Sequence, residues 1–295
     1  MQNSEYHQPV MLKEVLTALG GLPKTSSPKR IIDATLGTGG YSQAILETGG
    51  EVLGIDFDPK MVAIAKTRLE SYGKAFTATV ANFVDIEKVA RKSDFYPVDG
   101  VVFDLGVSNL HFKDSERGFS FANPDANLDM RLNPDIQNVR AADLLNILRP
   151  DQLKELFLPI LGWRGAKTIV EAIIKRRQIV AFSKVRDLLY VSEVLIKKPG
   201  LNQATLPFLA VRIAVNSELS NLDVGLDQAF NLVKSGGKIL VVSFHSLENK
   251  KVSDFAKNVY RQGLTNEIVR LEPSSEQILA NPKARSATLT VIQKI

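Results

Sequence analysis

The sequence predicts an α/β protein: a parallel, doubly wound sheet with a mainly helical segment inserted into it. Three observations carry that reading. Short apolar runs alternate with helical spacing over roughly the first hundred residues. From about residue 108 to residue 200 the alternation stops and only helical patterns remain. After Gly236-Gly237 a clean strand returns, followed by a helix and two terminal strands.

Taken in order, residues 30–33 (Arg-Ile-Ile-Asp) read as a short buried strand that ends at a glycine-rich turn. Residues 41–47 read as a helix stopped by Gly49-Gly50, and 51–56 as a second strand. Pro59 stands where a helix begins, with Met61, Ile64, Ala65, Arg68 and Leu69 on helical spacing. Proline is tolerated there because its missing donor would be unpaired anyway. Strands are expected at 75–80 and 98–104, then helices at 141–148, 150–161, 166–179 and 183–196. A long helix is expected over 205–233, with Pro207 in its first turn. The strand 238–244, the helix 247–261 and strands at 268–271 and 286–293 complete the chain. The expected division is a sheet domain in two parts, 1–107 and 205–295, around a helical insertion, 108–204.

The 295 residues are 44% hydrophobic, enough for one large core or two modest ones. No run approaches the ~20 apolar residues of a membrane span, and the start lacks the pattern of a secretory leader or an Arg-rich transit peptide. The absence of cysteine excludes disulfides, thiolate metal sites and a cysteine nucleophile, and fits a reducing compartment. His7, His111 and His245 are scattered, so no metal site is expected. Net charge is +5, and residues 163–198 hold nine Lys/Arg against three acids, more than the whole excess. That segment is either a solvated helix face or a surface for a polyanion.

The turn Asp33-Ala34-Thr35-Leu36-Gly37-Thr38-Gly39-Gly40 carries the clearest functional signal. In doubly wound sheets ligands sit at the carboxyl ends of the strands, beside the topological switch point. Gly37, Gly39 and Gly40 allow a tight turn and close approach of a ligand to backbone. Asp56 ends the second strand, where an acid accepts hydrogen bonds from ribose hydroxyls. An adenosine-type ligand follows. Ser42 occupies the place where a dinucleotide loop requires its third glycine, which disfavours a dehydrogenase. Asp33 is either a turn-capping residue or the acceptor of a ligand amino group. Asp104-Leu105-Gly106-Val107-Ser108 follows the fourth strand, at the reacting end of such a site.

These pieces, with an ordered series further along, resemble one family: the bacterial methyltransferases that make N(4)-methylcytidine in the decoding region of small-subunit (16S) rRNA. The series comprises residues 7–12 (HQPVML), 33–42, 54–59 (GIDFDP), Asn82-Phe83, 104–108, 116–121 (ERGFSF) and 128–132 (LDMRL). It continues with 211–219 (VRIAVNSEL), 242–248 (VSFHSLE) and 281–287 (NPKARSA). The resemblance implies a class I methyltransferase fold, S-adenosylmethionine as cofactor, a helical insertion that helps grip RNA, and a bacterial cytoplasmic location rather than an organellar matrix. Small-subunit rRNA or the small subunit itself is the implied partner. Family cofactor contacts fall on Gly39, Gly40, Tyr41, Asp56, Phe83, Asp104 and His111, with Phe83 either near the adenine or simply a core residue.

Asp104 and Ser108 are the catalytic candidates. An exocyclic base amine is a weak nucleophile because its lone pair is delocalised, and an acceptor beside it localises that pair and takes up the proton. Alignment supplies the rest. The alternative gives Asp104 cofactor binding alone. For RNA, Lys175, Arg176 and Arg177, with the 184–186 segment, are the phosphate candidates. Arg117 and Arg131 either hold phosphate or the cofactor carboxylate, or form structural pairs with Asp129 or Asp114. Phe119, Phe121 and Trp163 are either stacking platforms or core. The sequence departs from the family at Tyr41, Asn109, His111 and Lys113, and at Gly162-Trp163-Arg164, where the family has Gly-Glu-Glu. Such departures leave a second reading, a weakly active or inactive paralogue that acts as a small-subunit assembly factor. A small-molecule methyltransferase is disfavoured by the basic insertion.

Overall fold

The computed structural model describes residues 9–20, 28–114, 116–197 and 199–295; His7 and Lys198 lie outside the described residues, as do the side chains of Asn109 and Lys283. The chain divides into two compact units, residues 1–106 with 219–295, and residues 107–218.

The first unit opens with α1 (Leu12–Ala18), β1 (Arg30–Asp33), α2 (Gly40–Glu47), β2 (Glu51–Asp56), α3 (Pro59–Arg68), β3 (Phe76–Val80), α4 (Ile86–Lys92) and β4 (Val98–Asp104). The helical unit contributes α5 (Asn109–Lys113), α6 (Ala141–Ile147), α7 (Pro150–Ile179), α8 (Val185–Ser192) and α9 (Thr205–Asn216). The chain then returns with α10 (Glu218–Leu232), β5 (Val233–Ser243), α11 (Ser246–Arg261), β6 (Glu267–Leu271), α12 (Ser275–Ala280) and β7 (Thr288–Gln293).

The seven strands form one sheet in the order β3-β2-β1-β4-β5-β7-β6. The first five are mutually parallel, and β7 runs antiparallel between β5 and β6. Neighbouring residues of the central strands face opposite ways, and both faces are buried. Ile32, Leu53, Val101 and Ile239 pack with α4, α10 and α11. Their neighbours Ile31, Val52, Val102 and Leu240 pack on the other face with α1 and α2. This explains why β1, β2 and β4 read as continuous apolar runs rather than as alternating ones. After β3 the chain crosses to the far side of β1 to lay down β4. The switch point therefore falls between the carboxyl ends of β1 and β4, where Asp33 and Asp104 stand.

The helical unit has its own core, including Leu128, Met130, Leu145, Leu153, Phe157, Ile173 and Leu188. Two expectations need correction here. The helix expected over 205–233 is two helices, because Ser217 takes a left-handed backbone with φ 50° and ends α9. α9 also packs within the helical unit through Phe208, Ala210 and Val211, so that unit closes at residue 218 rather than 204. The break expected between 161 and 166 is present inside α7, at Gly162 with φ 68° and ψ 175°.

Candidate cofactor and catalytic site

The glycine loop is shaped by requirements that each residue meets differently. Gly37 has φ 51°, and a Cβ there would make only an ordinary contact with the Thr35 carbonyl oxygen at 3.9 Å, so the backbone alone favours glycine there. Gly39 caps α2 at φ 82°, and a Cβ would also lie 2.8 Å from Leu69 Cδ1. Gly40 begins α2. Arg68 of α3 clamps the loop: Nη1 donates to the Thr38 carbonyl at 3.1 Å, and Nε and Nη2 donate to Gln43 Oε1 at 2.9 and 2.6 Å. Asp56, at the end of β2, accepts the Gly37 amide on Oδ2 at 2.7 Å and the Asp58 amide on Oδ1 at 2.8 Å. Its carboxylate thus fixes the loop to the second strand.

Asp33 is fully buried at the end of β1, and its Oδ2 accepts the Ser42 hydroxyl at 2.7 Å. Ser42, read in the sequence only as a missing glycine, orients this carboxylate. Burial pushes the Asp33 carboxyl up to about 6, against the Ser42 hydroxyl and the Thr35 amide, with Asp56 adding repulsion. Asp104 ends β4, and its amide donates to Thr35 Oγ1 at 2.6 Å. The residue is half-buried, but its Oδ1 is wholly buried. Desolvation, joined by the negative charges of Asp33 and Glu248, lifts this carboxyl to about 8. Oδ1 of Asp33 and Oδ1 of Asp104 are both buried without a hydrogen-bond partner. Two orphaned acceptors with raised pKa values thus stand at one switch point, an arrangement that favours a cation.

Glu248 is held by a reciprocal cap of α11. Its Oε2 accepts the amides of Phe244 at 2.8 Å and His245 at 3.3 Å, while its own amide donates to His245 Nδ1 at 3.3 Å. The 242–248 motif therefore ends β5 beside Asp104, in register with Val242, and places a third acid near it.

Tyr41 has its hydroxyl engaged by the chain itself. Its ring is buried with α1 and β1, and its hydroxyl donates to the Val10 carbonyl. Burial pushes its phenol well above the usual range, with Asp104, Asp33 and Glu14 adding to the effect. Tyr41 thus stands beside the two carboxylates, with its polar atom committed elsewhere. Phe83 is half-buried, edge-on to Phe103 at 5.7 Å, and seated where a Cβ on Gly225 would lie 2.6 Å from its Cδ2.

The remaining candidates belong to the helical unit. Ser108 caps α5, accepting the Leu110 amide at 3.3 Å. His111 is buried, with its ring 5.2 Å from that of Phe119. Arg176 and Arg177, expected at phosphate, and Arg117 and Arg131, for which a structural pairing was the alternative, are engaged inside the unit. Arg117 Nη2 donates to the carbonyls of Arg131 and Leu132, both at 2.8 Å. Arg131 makes a two-pronged pair with Asp129, both bonds at 2.7 Å, and donates to the Gln137 carbonyl at 2.7 Å. Arg176 bonds Asp187 at 3.1 Å. Arg177 Nη1 takes the carbonyls of Leu145, Asn146 and Leu148 at the end of α6, at 3.1, 3.1 and 2.7 Å. The planar guanidinium suits such multi-carbonyl and carboxylate sites, which explains why these arginines are structural. Lys184 Nζ donates to Asn127 Oδ1 at 2.9 Å, and Arg186 pairs with Asp125. Lys175 is exposed. Phe119 is core and Phe121 packs edge-on to Phe208, so neither is a platform, whereas Trp163 is 58% exposed.

Asn216 was not singled out in the sequence. It receives the Leu132 amide on Oδ1 at 3.0 Å and donates from Nδ2 to the Met130 carbonyl at 2.9 Å. The motifs 128–132 and 211–219 are thus two halves of one structural lock.

Residues 4–295 match the MraW methylase family. The chain belongs to that family. Among curated proteins, this methylase is 36% identical to the ribosomal RNA small subunit methyltransferase H of Dehalococcoides mccartyi strain 195, over 99% of this chain and 88% of that one. It is 37% identical to the protein of that name from Dictyoglomus thermophilum, over 97% and 95%. With the one from Methylacidiphilum infernorum it shares 37% identity over 99% and 95%. No helix among the described residues of this methylase is long and apolar enough to cross a membrane.

Proposed function

We propose that this methylase transfers the methyl group of S-adenosylmethionine to the exocyclic 4-amino group of a cytidine in the decoding region of small-subunit rRNA, in the bacterial cytoplasm. The observation that carries the proposal is the family match along nearly the whole chain, with relatives named for small-subunit rRNA methylation. The two buried carboxylates agree with it. S-adenosylmethionine brings a sulfonium and an ammonium, and the orphaned oxygens of Asp33 and Asp104 are acceptors suited to cations. When bound, it supplies an electrophilic methyl group.

The chain's residues do the rest. Asp33, oriented by Ser42, receives the ligand's amino group. Gly37 to Gly40 let the ligand approach the backbone, and Asp56 serves the ribose. Phe83 lies along the adenine. Burial, with the negative charges of Asp33 and Glu248, raises the Asp104 carboxyl to about 8, close to the range in which a general base works best. It accepts the hydrogen bond of the target amine and takes up the proton that the methylated nitrogen sheds. Ser108 is the second catalytic candidate, and His111 is assigned to the cofactor.

The test uses tritiated S-adenosylmethionine with small subunits lacking the mark. Label should enter the rRNA and disappear with Asp104→Ala, whose cofactor affinity is measured separately. Binding of both ligands without transfer by the parent protein would instead support an assembly factor.

A further inference from the structure

Trp163 is the chain's only tryptophan, and it is 58% exposed on the surface of the helical unit. It follows the break at Gly162, where the chain leaves helical geometry and then re-enters it. The ring is not bare. Lys154 Nζ lies 5.7 Å from its centroid and Lys167 Nζ 5.6 Å, one from each half of α7. Both lysines are exposed, as are Arg164 and Leu158. Acidic neighbours are present. Lys167 approaches Glu171 at 4.0 Å, a loose pair between exposed groups, and Glu155 is exposed nearby. A large exposed indole costs free energy in water. Two ammonium groups this close to the ring fit a π-surface that exchanges a cation for a stacked ring.

We infer that Trp163, with Lys154 and Lys167, is a stacking platform for an unpaired RNA base, with the two lysines on its flanking phosphates. An aromatic face between mobile cations is the minimal arrangement for single-stranded RNA: the ring accepts any base, and the ammonium groups follow the backbone. Lysine suits this better than arginine, because its flexible stem lets the ammonium swing from ring to phosphate. Arg117, Arg131, Arg176 and Arg177 are locked into the fold, which leaves exposed lysines to follow phosphate. The inference rests on the proposed rRNA substrate and adds a contact that the cofactor pocket does not require.

The single tryptophan makes the test direct. The full-length protein is titrated with an unstructured decamer of uridylate while Trp163 fluorescence is recorded, and affinity is read in parallel from anisotropy of the labelled RNA. The expected result is saturable quenching that tracks binding, with no quenching by polyphosphate or by a duplex of equal length. Trp163→Ala should weaken binding roughly tenfold, and Trp163→Phe much less. Lys154→Ser with Lys167→Ser should lower the slope of log K against log salt by about 1.4. Unchanged fluorescence at saturating RNA, or unchanged affinity of Trp163→Ala, would overturn the inference. So would loss of binding to the intact subunit but not to free RNA, which would make a ribosomal protein the partner. Methyl transfer to small subunits, measured on the same preparations, separates the two ideas. Transfer with a silent Trp163 defeats this inference alone, whereas no transfer by the parent protein defeats the proposed function.

Discussion

Replacing Asp104 with asparagine should stabilise the ligand-free protein while weakening its hold on the cofactor. The carboxyl rises from 3.8 to about 8 through desolvation and the nearby charges of Asp33 and Glu248. In the unfolded chain it loses its proton near pH 4, whereas the folded chain keeps it until about pH 8. Between these values the folded state binds the extra proton, so stability falls as pH rises from about 4 to about 8 and then levels off. The gap of about four pH units, at ~1.4 kcal/mol each, sets an upper bound of ~6 kcal/mol. Half-burial and local relaxation bring the expected effect to ~2–3 kcal/mol. The substituted amide is neutral at every pH and nearly the same shape as the carboxyl. Asp104→Asn should therefore melt roughly 5–10 °C above the parent at pH 8, with a much smaller advantage at pH 5. Thermal unfolding by circular dichroism from pH 5 to pH 9, with and without S-adenosylmethionine, measures both effects. The ligand should raise the melting temperature of the parent far more than that of the variant. A variant that melts at or below the parent at pH 8 would refute the reasoning, as would parallel pH profiles.

The same linkage predicts proton release on binding. Calorimetry at pH 7 in buffers of different ionisation enthalpy should show S-adenosylmethionine expelling close to one proton from the parent and almost none from Asp104→Asn, because a cation in the pocket favours the ionised carboxylates. Gly225→Ala should displace the Phe83 ring, whose Cδ2 would lie 2.6 Å from the new methyl, and raise the cofactor Kd severalfold with little change in the urea midpoint. Within the helical unit, Arg177→Met should cost ~1–3 kcal/mol in urea denaturation, since three carbonyls lose their donor. Lys175→Ala should leave stability intact and lower the salt slope of RNA binding by about 0.7.

Much of the fold was legible because the central strands β1, β2 and β4 are buried on both faces, which yields apolar runs bounded by glycine-containing turns. The glycine loop, Asp33, Asp56 and Asp104 were legible for the same reason: they occupy the last positions of strands or the turns just after them. What the sequence hid was the partner of each polar group. Ser42 looked like the lack of a glycine, although its hydroxyl orients Asp33. A run such as Lys175-Arg176-Arg177 presents three cations, but the helix turns Arg176 and Arg177 toward Asp187 and the end of α6 and leaves Lys175 in solvent. Net charge counts all three alike; helical phase and guanidinium geometry do not. The boundary at Ser217 was hidden because a left-handed serine has no local signature, unlike glycine.

The central claim is that this methylase carries a methyl group to the 4-amino nitrogen of a cytidine in small-subunit rRNA. The most direct test incubates the purified protein with trideuteromethyl S-adenosylmethionine and unmethylated small subunits, digests the rRNA to nucleosides and locates the label by tandem mass spectrometry. The expected product carries trideuteromethyl on the exocyclic nitrogen of cytidine, from one site per subunit. Label on cytosine carbon, on ribose or on another base would contradict it, as would no label from a protein that binds the cofactor with proton release.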